Sequence, residues 1–137
     1  MSGEVENLIS DKINNEIDLI IVEGQGSLSN YAYSGTTLGL MHGCMPDYLI
    51  LTHDPTRDQD VMGHDIPDIE DFIKLHIDLM APFKNTSFLG INLLTFSMGE
   101  EDAKKMISRF KSLYNLPTTD LVRFGNAKLV SSIGDIL

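Results

Sequence analysis

The chain has 137 residues, 42% hydrophobic and 22% charged, which suits one globular domain with its own core. Its net charge of −10 offers no basic footprint for phosphate backbones, and its single cysteine, Cys44, excludes an internal disulfide framework. No apolar run approaches the roughly 20 residues of a membrane span, and the opening Met-Ser-Gly-Glu-Val-Glu lacks a secretory signal, so a soluble, cytoplasmic protein with no nucleic-acid or membrane partner is expected.

In chain order, Val5, Leu8, Ile9 and Ile13 recur at roughly helical spacing over residues 4–15. Glu16-Ile17-Asp18-Leu19-Ile20-Ile21-Val22 follows as an unalternating, β-branched run stopped at Glu23-Gly24, the pattern of a strand buried on both faces of a parallel sheet. Residues 24–35 form a polar, glycine-rich loop, too long for a mere connector. A short helix over Thr36–His42 then closes at Gly43.

The second half repeats the alternation. Asp47–Thr52 reads as another buried strand, ending at His53-Asp54-Pro55. An acidic stretch follows, in which Asp54 to Asp78 carry eight of the twenty acids against Arg57 and Lys74 alone. It runs into a helix over Asp68–Met80, with Ile69, Phe72, Ile73, His76 and Ile77 on one side. Ser87–Phe96 is a third strand candidate. Gly99-Glu100-Glu101-Asp102 opens a helix with acids where the macrodipole favours them, and Ala103, Met106, Ile107, Phe110 and Leu113 give it an apolar face. Thr119–Phe124 reads as a last short strand and Asn126–Leu137 as a terminal helix. Strands alternating with helices define an α/β fold: a layered, mainly parallel sheet flanked by helices.

In such sheets ligands bind beyond the carboxyl ends of the strands, which selects Glu23–Gly35 and His53–Asp60 and predicts one shared face for them. Glu23, at the tip of the first strand, is a hard oxygen ligand suited to Mg²⁺. Gly24 and Gly26 let the backbone approach an anion closely, although the same residues suit an ordinary turn. Ser34 and Thr36, before a helix start, suit an anion contact or simple capping. His53 beside carboxylates suits a general base. Arg57, the only Lys or Arg between Lys12 and Lys74, suits an anion anchor or an ion pair with Asp54 or Asp58. Cys44, with no second cysteine, reads as a small buried residue, and His76 as a core-edge residue. The runs 19–22 and 49–51, apolar on both faces, predict an exposed edge prone to self-association.

Several blocks together resemble a known family: Val22-Glu23-Gly24-Gln25-Gly26-Ser27-Leu28, Tyr33-Ser34-Gly35-Thr36-Thr37-Leu38-Gly39-Leu40-Met41-His42-Gly43, Pro46-Asp47, His53-Asp54-Pro55-Thr56-Arg57, Leu116-Pro117-Thr118-Thr119-Asp120 and Val122-Arg123-Phe124-Gly125. It is the P-loop family, long labelled as of unknown function, that includes the DgcN-type D-glutamate N-acetyltransferases. The Glu-Gly-x-Gly element is also similar to dethiobiotin synthetases, whose corresponding glutamate binds Mg²⁺. The resemblance implies a P-loop-NTPase-like but incomplete core spanning residues 1–137, a single and partial C-terminal domain. No G-x-x-x-x-G-K-[ST] occurs in the sequence. The chain is therefore expected to be the C-terminal part of a longer protein or a truncation that has lost the phosphate loop.

By resemblance, the expected activity is N-acyl transfer to a small D-amino acid such as D-glutamate. Acetyl-CoA, or a nucleotide, and Mg²⁺ are the implied cofactors. Glu23 and His53 would be catalytic, with Glu23 also the metal ligand. Gly24, Gly26, Ser34, Thr36 and Arg57 would bind substrate and anion. The rival expectation is a non-catalytic assembly module that needs a completing domain, or a second copy, to finish a nucleotide-binding-like domain.

Overall fold

The computed structural model describes residues 1–14, 16–24 and 27–136. Six helices and three strands occur among them, in the order α1 (Ser2–Ser10), α2 (Ser34–Cys44), β1 (Tyr48–His53), α3 (Ile69–Met80), β2 (Ser87–Leu93), α4 (Glu100–Tyr114), β3 (Thr118–Thr119), α5 (Leu121–Phe124) and α6 (Ala127–Gly134). The chain gathers into two compact units: Met1–Asp47 with Asp60–Thr86, and Tyr48–Gln59 with Ser87–Leu137.

The first unit holds α1, α2 and α3. A β-carbon at Gly43 would stand 2.6 Å from the Ser2 carbonyl oxygen and 2.7 Å from Val5 Cβ, so glycine is what lets α1 touch α2. Helix α2 stops at Met45, whose left-handed φ of 45° breaks the helical run. The Lys84 ammonium donates to the Met45 carbonyl at 2.9 Å and pairs with Asp47 at 2.8 Å, fixing this exit. In α3, Ile69, His76 and Met80 are buried, at spacings of seven and four that share one helical face.

The strand expected over residues 16–22 is not formed. Residues 16–24 carry neither helix nor strand, and Leu19, Ile20, Ile21 and Val22 are 44, 39, 79 and 39% exposed. A run apolar on both faces becomes a strand only when neighbouring strands take its N–H and C=O groups and layers cover both faces. Among the described residues no strand pairs with it. The composition is that of a strand, and the partners are what is lacking.

The second unit is built on a parallel sheet in the order β1-β2-β3. Strand β1 pairs Tyr48 with Ser87 through to His53 with Leu93, with an irregularity between Leu49 and Ile50. Ile91 and Leu93 of β2 are fully buried. At Gly90 a β-carbon would collide with the Leu129 side chain and stand 2.9 Å from the Pro117 carbonyl oxygen, so this glycine admits α6 on one side and the lead into β3 on the other. Helix α4 begins with Glu100, Glu101 and Asp102, as the macrodipole favours, and ends at Asn115 with φ 52°. Its buried face is Ala103, Ile107 and Phe110; Leu113, expected on that face, is 62% exposed. The strand expected over 119–124 is corrected as well: β3 spans Thr118–Thr119, and residues 121–124 are the short helix α5, because Asp120 caps them.

Candidate functional site

The carboxyl ends of the three parallel strands are stitched together by polar side chains. His53 ends β1. Its ring stacks on Phe110 of α4 at 5.9 Å between centroids and 28° between planes. Burial pushes the ring below the ordinary histidine value, Asp54 opposes that shift, and Arg57 reinforces it. His53 is therefore neutral at pH 7, the form that can take up a proton.

The chain turns immediately after His53. Asp54 Oδ1 accepts from the Thr56 amide at 3.0 Å and the Thr56 hydroxyl at 2.7 Å, and the Arg57 amide donates to the Asp54 carbonyl at 3.2 Å. This is the side-chain-closed turn that aspartate favours. It puts the Thr56 hydroxyl 3.3 Å from Ser97 Oγ, tying the segment after β1 to the one after β2. The exposed Arg57 guanidinium donates to the Gln59 carbonyl at 3.3 Å, which holds the fork against the turn.

Asn92 makes the next link. Its amide nitrogen donates to Thr52 Oγ1 at 3.4 Å, and its oxygen accepts from the Leu121 amide at 3.0 Å. Asp120 makes the third. It is 3% exposed, and one oxygen takes the Thr95 amide at 2.9 Å and the Thr95 hydroxyl at 2.6 Å. The other takes the amides of Val122 and Arg123 at 3.0 and 2.9 Å. Burial works to raise this carboxyl, but the Thr95 hydroxyl and the three amides outweigh it and hold Asp120 below the ordinary carboxylate range. Arg123 in turn donates to the Met98 carbonyl at 2.9 Å. With its lone pairs so engaged, Asp120 positions the strand ends and is not poised to react.

The residues singled out by sequence divide between the units. His53 and Arg57 lie together in the second; Glu23, Gly24, Ser34 and Thr36 belong to the first. Glu23 and Gly24 lie in the exposed segment without a strand, so the expected strand-tip setting for this carboxylate is absent. A β-carbon at Gly24 would meet nothing within 4 Å. Gly26 lies outside the described residues. Ser34 is half-buried and Thr36 exposed in the first turn of α2, where the N-cap, Tyr33, makes no side-chain cap bond. The long loop before α2 is organised by Asn30, 3% exposed, which donates to Asp60 at 2.6 Å and accepts from the Ala32 amide at 2.9 Å. Asp60 in turn accepts from the His64 and Met62 amides; the His64 amide does most to keep its carboxyl below the usual range.

Cys44 is half-buried and burial raises its thiol, the setting of an unreactive cysteine. His76 is 8% exposed, its Nδ1 is 2.8 Å from the Phe72 carbonyl oxygen, and burial lowers its pKa. Among the described residues no three His, Cys, Asp or Glu side chains gather closely enough to hold a metal ion. Among the same residues no helix is long and apolar enough to cross a membrane.

Sequence reasoning passed over Asn92, Thr95, Asp120 and Arg123 as site residues. The signal was present: an aspartate after a strand and before Leu-Val-Arg-Phe is a helix-start pattern, and the strand-end rule applies equally to the third strand.

A parallel sheet with helices between its strands, and polar groups collected beyond the strand ends, defines a layered α/β fold. The chain belongs to the family described as domain of unknown function DUF1611_C, a P-loop domain, which matches residues 1–130. It is 35% identical over 139 residues to a D-glutamate N-acetyltransferase of Tritonibacter scottomollicae, covering 99% of this chain and 41% of that protein. It is 33% identical over 137 residues to a D-glutamate N-acetyltransferase of a Pseudoalteromonas species, covering 97% and 40%. A crystal structure of a DUF1611 family protein from Anabaena variabilis superposes with a TM-score of 0.90 at 30% identity, over 98% of this chain and 40% of that one. The chain thus spans about 40% of the length of the relatives it matches.

Proposed function

We propose that this chain carries part of the machinery of an N-acetyltransferase that acylates the amine of a small D-amino acid such as D-glutamate from an acyl-CoA donor. The observation that supports this reading most is the naming of two relatives, at 33 and 35% identity, that align with nearly the whole chain. The chemistry requires that the amine lose a proton, that its nitrogen bond to the thioester carbonyl carbon, and that the C–S bond break to release the CoA thiol. A neutral His53 suits the first step as general base. Arg57 suits the substrate carboxylate, as a planar fork on an exposed turn. By family resemblance, Glu23 is the candidate for amine or Mg²⁺ and Gly24, Gly26, Ser34 and Thr36 the candidates for anionic groups of donor or substrate.

Mg²⁺, acetyl-CoA and a nucleotide are the ligands this reading invokes. When bound, Mg²⁺ would neutralise phosphate charge. Incubating the chain with acetyl-CoA and either D- or L-glutamate, with and without Mg²⁺, and identifying the product by mass spectrometry tests the reading. N-acetyl-D-glutamate is the expected product. Its absence under every condition would remove catalysis by this chain alone.

A second reading is favoured by a separate observation: the 39–79% exposure of Leu19 to Val22 in a sequence without G-x-x-x-x-G-K-[ST]. In it the chain is a non-catalytic assembly module, completed by another domain or a second copy. Complementation by a phosphate-loop-bearing polypeptide from a relative, repeated with His53→Ala in this chain, would separate the two: activity that survives the substitution favours the assembly module.

A further inference from the structure

The second unit carries a shallow cavity, open to solvent, of about 440 Å³, bounded by the end of α4, the lead into β3 and one face of α6. It shares no residue with the turn from His53 to Arg57. The volume falls within the roughly 300–1,000 Å³ of small-molecule pockets. Lys111 and Lys128 line it, together with Pro117, Thr118, Ser131 and Ser132, and among the described residues no acidic side chain does. In a chain with 20 acidic and 10 basic residues that wall runs against the overall composition.

The pairing of the lysines sharpens the point. Lys74, Lys84, Lys104 and Lys105 each pair with a carboxylate, namely Asp78, Asp47, Glu100 and Asp102. Lys12, Lys111 and Lys128 make no such pair among the described residues, and the last two line one cavity. Lys128, Ser131 and Ser132 stand at i, i+3 and i+4 on α6, so they share a helical face. Thr118 and Ser132 donate their hydroxyl protons to the carbonyls of Leu116 and Lys128, at 2.9 and 3.0 Å. Ser131 makes no side-chain hydrogen bond among the described residues, and its hydroxyl remains a donor.

We propose that this cavity binds the phosphate of a phosphorylated small molecule, with Lys111 and Lys128 providing the charge, Ser131 a hydroxyl donor, and Pro117 an apolar wall for the organic part. Two lysines lining one cavity suit a dianion, for which lysine acts as a point charge. The site is built from the second unit's own residues and does not rest on the acetyl-transfer reading; a chain devoid of transferase activity would bind equally.

The test is calorimetric titration of the full chain with inorganic pyrophosphate, ADP, CoA and dephospho-CoA, at low and high salt. Wild type is compared with K111S/K128S and with K74S, whose lysine lies in the other unit. At least one of these compounds should bind, more weakly in high salt. The K111S/K128S protein should lose about tenfold or more in affinity with an unchanged melting curve, K74S about none. Tighter binding of CoA than of dephospho-CoA would assign the pair to a terminal phosphate monoester; equal binding, with competition by pyrophosphate, would assign it to a diphosphate. Amide NMR shifts of the wild type on titration should cluster at Lys111, Thr118 and residues 127–132, a readout that needs no variant. Absence of binding by all four compounds, equal affinity in wild type and K111S/K128S, or shifts elsewhere would overturn the proposal.

Discussion

Replacing Asp120 by alanine removes the acceptor of four hydrogen bonds at once. Loss of the cap on α5, through the Val122 and Arg123 amides, costs about 1 kcal/mol. Thr95 is fully buried, so its amide and hydroxyl are both left without a partner, at about 1–3 kcal/mol each. The loss should reach about 3–7 kcal/mol, a large part of the roughly 5–15 kcal/mol that stabilises a domain. Native-state hydrogen exchange isolates the second unit. The Ile91 amide, bonded to the Pro117 carbonyl, and the Leu94 amide, bonded to that of His53, should lose about 10²-fold or more in protection. Thr95→Val should cost less, and its effect should largely vanish in the Asp120→Ala background, since both remove the same bond. The acid side provides a second arm. Asp120 is held below its ordinary value in the folded state, so its contribution is whole above about pH 4 and is lost as pH falls through the folded value. Asp120→Asn should flatten that acid slope. A loss of protection below about tenfold, or full additivity of the two substitutions, would refute the account of this network.

Gly90→Ala should destabilise the second unit by about 1–3 kcal/mol, since its methyl meets Leu129 and the Pro117 carbonyl; Gly24→Ala, which meets nothing, should leave the melting temperature unchanged, and a reversed order would count against the packing described. NMR titration should place the His53 and His76 rings below about 6.5. Because the unfolded chain then binds more protons, their contribution to stability is whole above about pH 6.5 and is lost as pH falls through the folded values; a raised value for His53 would count against the neutral base. Sedimentation at micromolar concentration should show self-association that Leu19→Lys with Ile21→Lys reduces, because these side chains are 44 and 79% exposed; a monodisperse wild-type monomer would contradict this.

The sequence carried β1, α3 and α4 almost residue for residue, because their signals are local. Unalternating apolar residues mark 47–52 where the strand spans 48–53, a 3.6 period marks 68–80 where the helix spans 69–80, and first-turn acids mark the start at Glu100. Residues 16–22 carried an equally strong strand pattern and form none, since a strand is a relation between segments and composition supplies only one of them. The stretch after β3 was misread for the opposite reason. Leu121, Val122 and Phe124 look like strand residues, and the deciding feature is one capping carboxylate. Within the site, His53 and Arg57 stood out as rare residue types after a strand. Asn92 and Thr95 sit inside or just beyond an apolar run, where nothing in the sequence separates a bridging polar group from an incidental one. Their partners, Leu121 and Asp120, are 29 and 25 residues away.

The central claim, that the turn after β1 holds a base and a carboxylate anchor for acetyl transfer, is tested most directly by steady-state kinetics of D-glutamate acetylation. Wild type is compared with His53→Ala and Arg57→Ala in whichever assembly, chain alone or complemented, shows activity. His53→Ala should lower kcat by about 10²–10⁴-fold with little change in KM. Arg57→Ala should mainly raise KM for D-glutamate, leaving that for acetyl-CoA alone. Unchanged kcat in His53→Ala, with KM for D-glutamate indifferent to Arg57, would contradict the claim.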